Sequence, residues 1–198
     1  ANGVRNLCGN TLPEGLVKNQ RLPEPIITPS TKAAHGEHDA NLSGIEAVER
    51  GLVTMEEWQQ LSQYALGLYM RGVEVAARQG VILVDTKYEF GRDASGKIMI
   101  IDEIHTPDSS RFWIAETYAE KMAAGQEPDN INKEYLRLWL SNQGYVGEGE
   151  IPAIPEDVLI ETAMKYIQAF EMITGQTFVG NPGEVLPRIE ENLKPYAL

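Results

Sequence analysis

Apolar residues recur along this chain in two different rhythms, and the change of rhythm marks its organisation. From Trp58 the apolar positions are Leu61, Ala65, Leu68, Tyr69, Val73 and Ala76. That spacing follows a helical period and predicts one long helix with a single buried stripe. Thr54-Met-Glu-Glu57 supplies a capping box at its start, and Gly80 stops it. A second capping box, Ser43-Gly-Ile-Glu46, predicts a short helix ended by Gly51. The rhythm then changes. Val81-Ile82-Leu83-Val84 and Ile98-Met99-Ile100-Ile101 are almost continuously apolar. Runs of that kind predict strands covered on both faces. Asp93, Ser95 and Gly96 are turn formers and predict a turn over residues 91–97. The whole of 81–104 therefore reads as an antiparallel hairpin.

Helical spacing returns afterwards, predicting helices over 114–124, 131–143, 156–174 and 184–193. The third begins after Pro155, with Val158, Leu159, Tyr166, Ile167, Phe170 and Ile173 inward. Tyr135, Trp139, Tyr166 and Phe170 read as core aromatics. Residues 144–155 are rich in Gly and Pro and predict an exposed crossing. Residues 1–40 show little periodicity and predict loops with one or two short strands. The fold class is α+β: an antiparallel sheet containing the 81–104 hairpin packs against helices, with a helical C-terminal tail. Residues 1–198 read as a single domain.

Composition narrows the function. With 42% hydrophobic and 23% charged residues among 198, the chain can build a core. A net charge of −12 disfavours nucleic acid, which demands basic patches. The single cysteine, Cys8, permits no internal disulfide and suits a reducing cytoplasm. No apolar run is long enough to span a membrane.

The chemistry concentrates in residues 84–113. Asp85, Lys87 and Glu89 alternate, so on one strand all three project from one face. The apolar return strand delivers Asp102-Glu103, and a Pro-Asp-Ser-Ser-Arg turn, residues 107–111, follows. A charge-alternating hairpin is ordinarily a solvated ribbon. Here the charges sit at the ends of apolar strands, where they need partners, metal or ligand. An acidic pair with a Lys between and an Arg beyond suits a divalent metal together with an anionic substrate. Ser30 and Lys32, in Pro-Ser-Thr-Lys, suit phosphate or carboxylate binding, although such a segment is more often a loop or cap. His35, His38 and Asp39 lack the second ligand cluster that zinc requires. His105 reads as a structural histidine.

Five ordered segments resemble the SAICAR synthetase family of purine biosynthesis. They are LPEGL at 12–16, LPEPIITPSTKA at 22–33, GEHD at 36–39, VDTKYEFG at 84–91 and IDEIHTPDSSRFW at 101–113. The similarity continues through YLRLWLSNQGY and MKYIQAFEMITG. The resemblance implies an ATP-dependent ligase that joins carboxyaminoimidazole ribonucleotide to L-aspartate through an acyl phosphate. It implies Mg2+ held by Glu89 and Asp102. It implies catalytic or substrate-contacting roles for Asp85, Lys87, Asp108 and Arg111. Ser30 and Lys32 match a stretch that contacts substrate or the ATP phosphates. It implies small-molecule partners, no nucleic acid and no membrane, and it leaves an oligomer open.

Members of the family carry an N-terminal nucleotide-binding lobe and a substrate-binding stretch ahead of the segments matched here. The expectation is therefore a substrate- and metal-binding portion with little turnover by itself. The alternative is an inactive scaffold that binds ligand, since no GxGxxG or GxxxxGK loop occurs. A kinase-like phosphotransferase is disfavoured by the absence of HRD and DFG segments.

Overall fold

The computed structural model describes residues 5–32, 39–131, 134–147 and 149–196. Three antiparallel two-stranded ladders and six α-helices make up this part. The ladders pair β1 (Asn6–Leu7) with β2 (Asn10–Thr11), β3 (Val81–Thr86) with β6 (Ser110–Ile114), and β4 (Glu89–Arg92) with β5 (Ile98–Ile101).

The helices follow the sequence closely. α1 spans Gly44–Glu49 and α2 spans Met55–Arg78. Both open on complete capping boxes, Ser43 with Glu46 and Thr54 with Glu57. Gly51 and Gly80 take left-handed φ values of 69° and 70° just beyond the two helix ends. α3 (Ala115–Ala123), α4 (Glu134–Asn142), α5 (Glu156–Thr174) and α6 (Val185–Leu193) lie within a few residues of their expected bounds.

The strand pairing departs from the expected hairpin. The turn over residues 91–97 is real, and Arg92 faces Ile98 across it. Val81–Thr86, however, pairs with Ser110–Ile114 and not with the 98–101 run. The chain breaks at Lys87-Tyr88, so β3 and β4 join different ladders. Asp85, Lys87 and Glu89 therefore do not share one continuous strand. Strand β6 falls where the sequence predicts only a turn leading to a helix. Its burial alternates at Ser110, Arg111 and Phe112, as one covered face requires. The double coverage expected of 98–101 also fails. Ile98 is buried, but Met99 and Ile101 are exposed.

The core lies where β3 and β6 meet α2 and α5. Ala76, Val81, Leu83, Phe112, Ile131 and Ala169 are buried there, with Tyr69, Val73, Ile114, Met172 and Ile173 packed around them. A register irregularity between Leu83 and Asp85 interrupts the β3–β6 ladder. The Tyr69 hydroxyl, on α2, lies 3.1 Å from the carbonyl oxygens of both Leu83 and Val84 and donates to them. It thus serves backbone acceptors at the bulge.

On α5, Val158 and Ala169 are buried, and Ile173 packs on the core. Leu159, Tyr166 and Phe170 are exposed, which corrects their reading as inward residues. The helix rotates its small Ala169 into the tightest position, and that turns the larger side chains outward. Tyr135 and Trp139 are half-buried. Exposed apolar side chains continue onto α6 at Val185, Leu186, Ile189 and Leu193.

Gly72 is buried on α2 because nothing larger fits. A β-carbon there would lie 2.4 Å from His105 Cε1 and 2.7 Å from Leu83 Cδ2. Gly72→Ala gains about 1 kcal/mol of helix propensity. It costs about 1–3 kcal/mol in overpacking. The expected outcome is a net loss of stability in urea unfolding. A more stable variant would show that His105 and Leu83 yield freely.

Glu57 closes the capping box and also accepts a hydrogen bond from Arg92 of β4. The Thr54 backbone N–H and then Arg92 hold its carboxyl below the ordinary value of 4.5. A lowered folded value means stability that is present above the ordinary value and lost as pH falls through the folded one. Arg92→Met should therefore lower the thermal midpoint at neutral pH and flatten its acid limb. Melts between about pH 2.5 and 7 read both; equal curves for the two proteins would remove Arg92 from the account.

Candidate functional site

The β3–β6 ladder delivers the first two charges. Asp85 lies opposite Arg111. Arg111 Nε donates to Asp85 Oδ1 at 2.9 Å, and a second guanidinium nitrogen donates to Oδ2. The guanidinium fork is thus bidentate on Asp85, a geometry that holds both side chains in one plane. Beside it, Ser110 donates to Thr86 Oγ1 at 2.8 Å.

The turn before β6 is held by Thr106. Its hydroxyl donates to Glu103 and accepts from the Asp108 and Ser109 backbone N–H groups. Asp108 is therefore carried on an ordered turn. The Lys87 backbone N–H donates to Ser109 O at 3.0 Å. That bond sets Lys87 against the same turn, although Lys87 lies outside both strands.

Glu89 lies at the centre of the charges. Lys87 Nζ is 3.0 Å from Glu89 Oε1, and Lys32 Nζ pairs with Glu89 Oε2. The Glu89 side chain is only 17% exposed, whereas the two lysines are largely in solvent. The hydrogen bond from Lys32 and then that from Lys87 hold the Glu89 carboxyl below its ordinary range. The reciprocal bond to Glu89 raises Lys87. Lys32 reaches this point because residues 29–32 fold against 39–42. Thr31 N–H donates to Ala40 O at 2.9 Å, Leu42 N–H donates to Pro29 O at 3.1 Å, and Ser30 bridges Asn41. The same pairing brings Asp39 Oδ2 to 3.7 Å from Lys87 Nζ.

Asp102 stands differently. Glu89 faces Ile101, one residue short of Asp102. Regular pleating would send the two carboxylates to opposite faces. Asp102 leaves the ladder with a left-handed φ of 67°, so the turn and not the pleat sets its direction. Among the described residues no three His, Cys, Asp or Glu side chains form a metal cage. Magnesium needs fewer, since one or two carboxylates with substrate phosphates and water complete its shell. The hard oxygen donors of Glu89 and Asp102 fit that chemistry.

The structure thus gathers Lys32, Lys87 and Glu89, joins Asp85 to Arg111, and sets Asp108 on the adjoining turn. Ser30 stands two residues from Lys32 with its backbone tied to Asn41. His35 and His38, weighed above for zinc, lie outside the described residues. The sequence reading missed Asp39 as a partner of Lys87, and its signal was the acidic residue ending the GEHD segment. It also missed the Tyr88 hydroxyl bonded to His105 Nε2. Nothing in local pattern announces a bond between residues on different elements.

A model of the SAICAR synthetase family matches residues 2–153. The phosphoribosylaminoimidazole-succinocarboxamide synthase of Legionella pneumophila (strain Lens) is 51% identical over 195 residues, covering 97% of this chain and 62% of that protein. The chloroplastic synthase of Arabidopsis thaliana is 52% identical over 174 residues, covering 87% of this chain and 42% of that protein. Among solved structures, the SAICAR synthase of Saccharomyces cerevisiae complexed with SAICAR superposes with a TM-score of 0.73 at 36% identity. It covers 88% of this chain and 55% of that one. A SAICAR synthetase in complex with ADP gives 0.61 at 27% identity, covering 83% and 57%. The chain spans less than two thirds of the length of these relatives. With a family match over three quarters of its residues and half its sequence shared with such synthases, the chain belongs to the SAICAR synthetase family.

Proposed function

We propose that this chain is the substrate- and metal-binding portion of an ATP-dependent ligase in cytoplasmic purine biosynthesis. The reaction joins carboxyaminoimidazole ribonucleotide to L-aspartate and yields SAICAR, ADP and phosphate. The observation that carries the reading is Glu89 held between two ammonium groups beside the Asp85–Arg111 pair. The relatives' complexes with SAICAR and ADP support it.

A carboxylate is a poor electrophile, because its charge repels an amine and oxide leaves badly. Transfer of the γ-phosphoryl group of ATP makes an acyl phosphate, which the aspartate amine then attacks. Glu89 and Asp102 would hold Mg2+, which would supply charge neutralisation for that transfer. The chain's own residues do the rest. Lys32 and Lys87 are cations on long stems, already paired with a carboxylate. The same two ammonium groups address the anionic oxygens that arrive with substrate. Lys87 then balances charge on the transferring phosphoryl group. Asp85 holds the Arg111 fork at a fixed angle, from which the guanidinium addresses a phosphate or carboxylate of the ribonucleotide. Asp108, one turn away, receives a substrate N–H or hydroxyl. Ser30 and Lys32 contact phosphate.

The alternative, a scaffold that binds without turnover, has no observation of its own in its favour. No helix among the described residues is long and apolar enough to cross a membrane.

Two variants of the intact protein separate the roles. Arg111→Ala removes a charge-assisted contact, which costs about 1.5–3 kcal/mol, or roughly ten- to a hundredfold in affinity. The KM for the ribonucleotide should rise by that factor while the KM for ATP moves little. Asp102→Asn should instead lower kcat and raise the Mg2+ requirement, with the ribonucleotide KM nearly unchanged. Steady-state kinetics with each substrate varied in turn reads the contrast. A rise in the ATP term alone for Arg111→Ala would overturn its assignment.

A further inference from the structure

Residues 87–90 carry two chemistries on alternate positions. Lys87 and Glu89 belong to the charge cluster. Tyr88 and Phe90 belong to a row of rings. Phe90 lies 6.4 Å from Tyr64 of α2 and 6.4 Å from Tyr88, and Tyr88 meets His105 edge-on at 5.5 Å. The Tyr88 hydroxyl closes the row with its hydrogen bond to His105 Nε2.

His105 occupies a demanding position. Its φ is 55°, and three residues earlier Asp102 has φ 67°. Two left-handed residues in one short turn make a backbone that needs outside support. Packing supplies part of it, because the imidazole lies directly over Gly72. Beside the ring, however, is an apolar cavity of about 110 Å³ lined also by Arg71, Val75, Ala76, Phe112 and Ile173. Packing therefore covers the ring on the Gly72 side and leaves another side open. The hydrogen bond supplies the missing constraint.

The two partners sit next to the two acidic residues of the site. Tyr88 is bonded in the chain to Glu89. His105 ends the turn that begins at Asp102. We propose that the Tyr88–His105 hydrogen bond is a strut that positions Glu89 and Asp102 relative to each other, which makes both residues positioning residues for the metal-dependent step. The inference rests on the function proposed above. Neither residue touches substrate in it. Their effect passes through the backbone to the carboxylates.

The test uses Tyr88→Phe, which removes one hydroxyl and keeps the ring row. His105→Asn is the second variant, because Asn tolerates left-handed backbone but is too short to replace the imidazole. Amide hydrogen exchange of residues 101–106 reads the strut without reference to activity and should quicken at least tenfold in both variants. In the intact enzyme, the Mg2+ concentration for half-maximal rate should rise threefold or more, while the ribonucleotide KM stays within a factor of two. A purely structural role would lower the melting temperature and the active fraction and leave the Mg2+ dependence of the remaining enzyme unchanged. Unchanged exchange overturns the strut. Quickened exchange with an unchanged Mg2+ requirement overturns the positioning role. Absence of Mg2+- and ATP-dependent turnover in the parent enzyme is a different result, and it overturns the function on which the inference rests.

Discussion

Val81 and Leu83 of β3 and Phe112 of β6 leave water together, against Ala76 of α2 and Ala169 of α5. Burying a side chain of that size contributes about 1.5–3 kcal/mol, more than any exposed ion pair in the site. The consequence for function lies in the alternation of a strand. Phe112 points into the core, so its neighbour Arg111 points outward, whereas regular alternation would leave Asp85 on the same face as Leu83. The bulge at Val84 then sets their register, and Tyr69 takes up the carbonyl oxygens there. The guanidinium fork is aimed by hydrophobic packing two residues away.

The second ladder works on different terms. β4 and β5 bury little, with Met99 and Ile101 in contact with solvent. What holds this hairpin in place is a set of polar and aromatic ties: Arg92 to Glu57, the rings from Tyr64 to His105, and the two lysines on Glu89. Such ties are individually weak and can exchange partners. Glu89, held between Lys32 and Lys87, sits on this more exposed ladder. The ladder buried in the core fixes the arginine, and the more exposed one carries Glu89 to its two lysines.

Much of the fold was legible in the residues. Each helix announced itself within its own length, through capping boxes at Ser43 and Thr54, glycines at 51 and 80, and apolar residues at helical spacing. These are local forces, and local sequence contains them. The turn at 91–97 was legible for the same reason, since Asp93 accepts hydrogen bonds within its own turn from Ser95 and Lys97. The candidate site residues were named from the ordered segments in which the chain resembles the family.

The partner of β3 was not legible. Val81–Val84 suits pairing with 98–101 as well as with 110–114 by pattern, and only the shared core with α2 and α5 decides between them. The rotation of α5 is likewise a tertiary outcome. Its apolar residues occupy more than half of the helix circumference, and contact with Ala76, Val81 and Phe112 selects Ala169 as the inward one. The charge cluster falls in the same class. Sequence put Lys32 and Asp39 dozens of residues ahead of Lys87 and Glu89. Their meeting depends on the fold-back of 29–32 on 39–42 and on the break at Lys87-Tyr88. Residue type and local spacing determined which elements form and which side chains carry charge. Burial of a common core decided which strands pair, which face of α5 turns inward, and which charges meet.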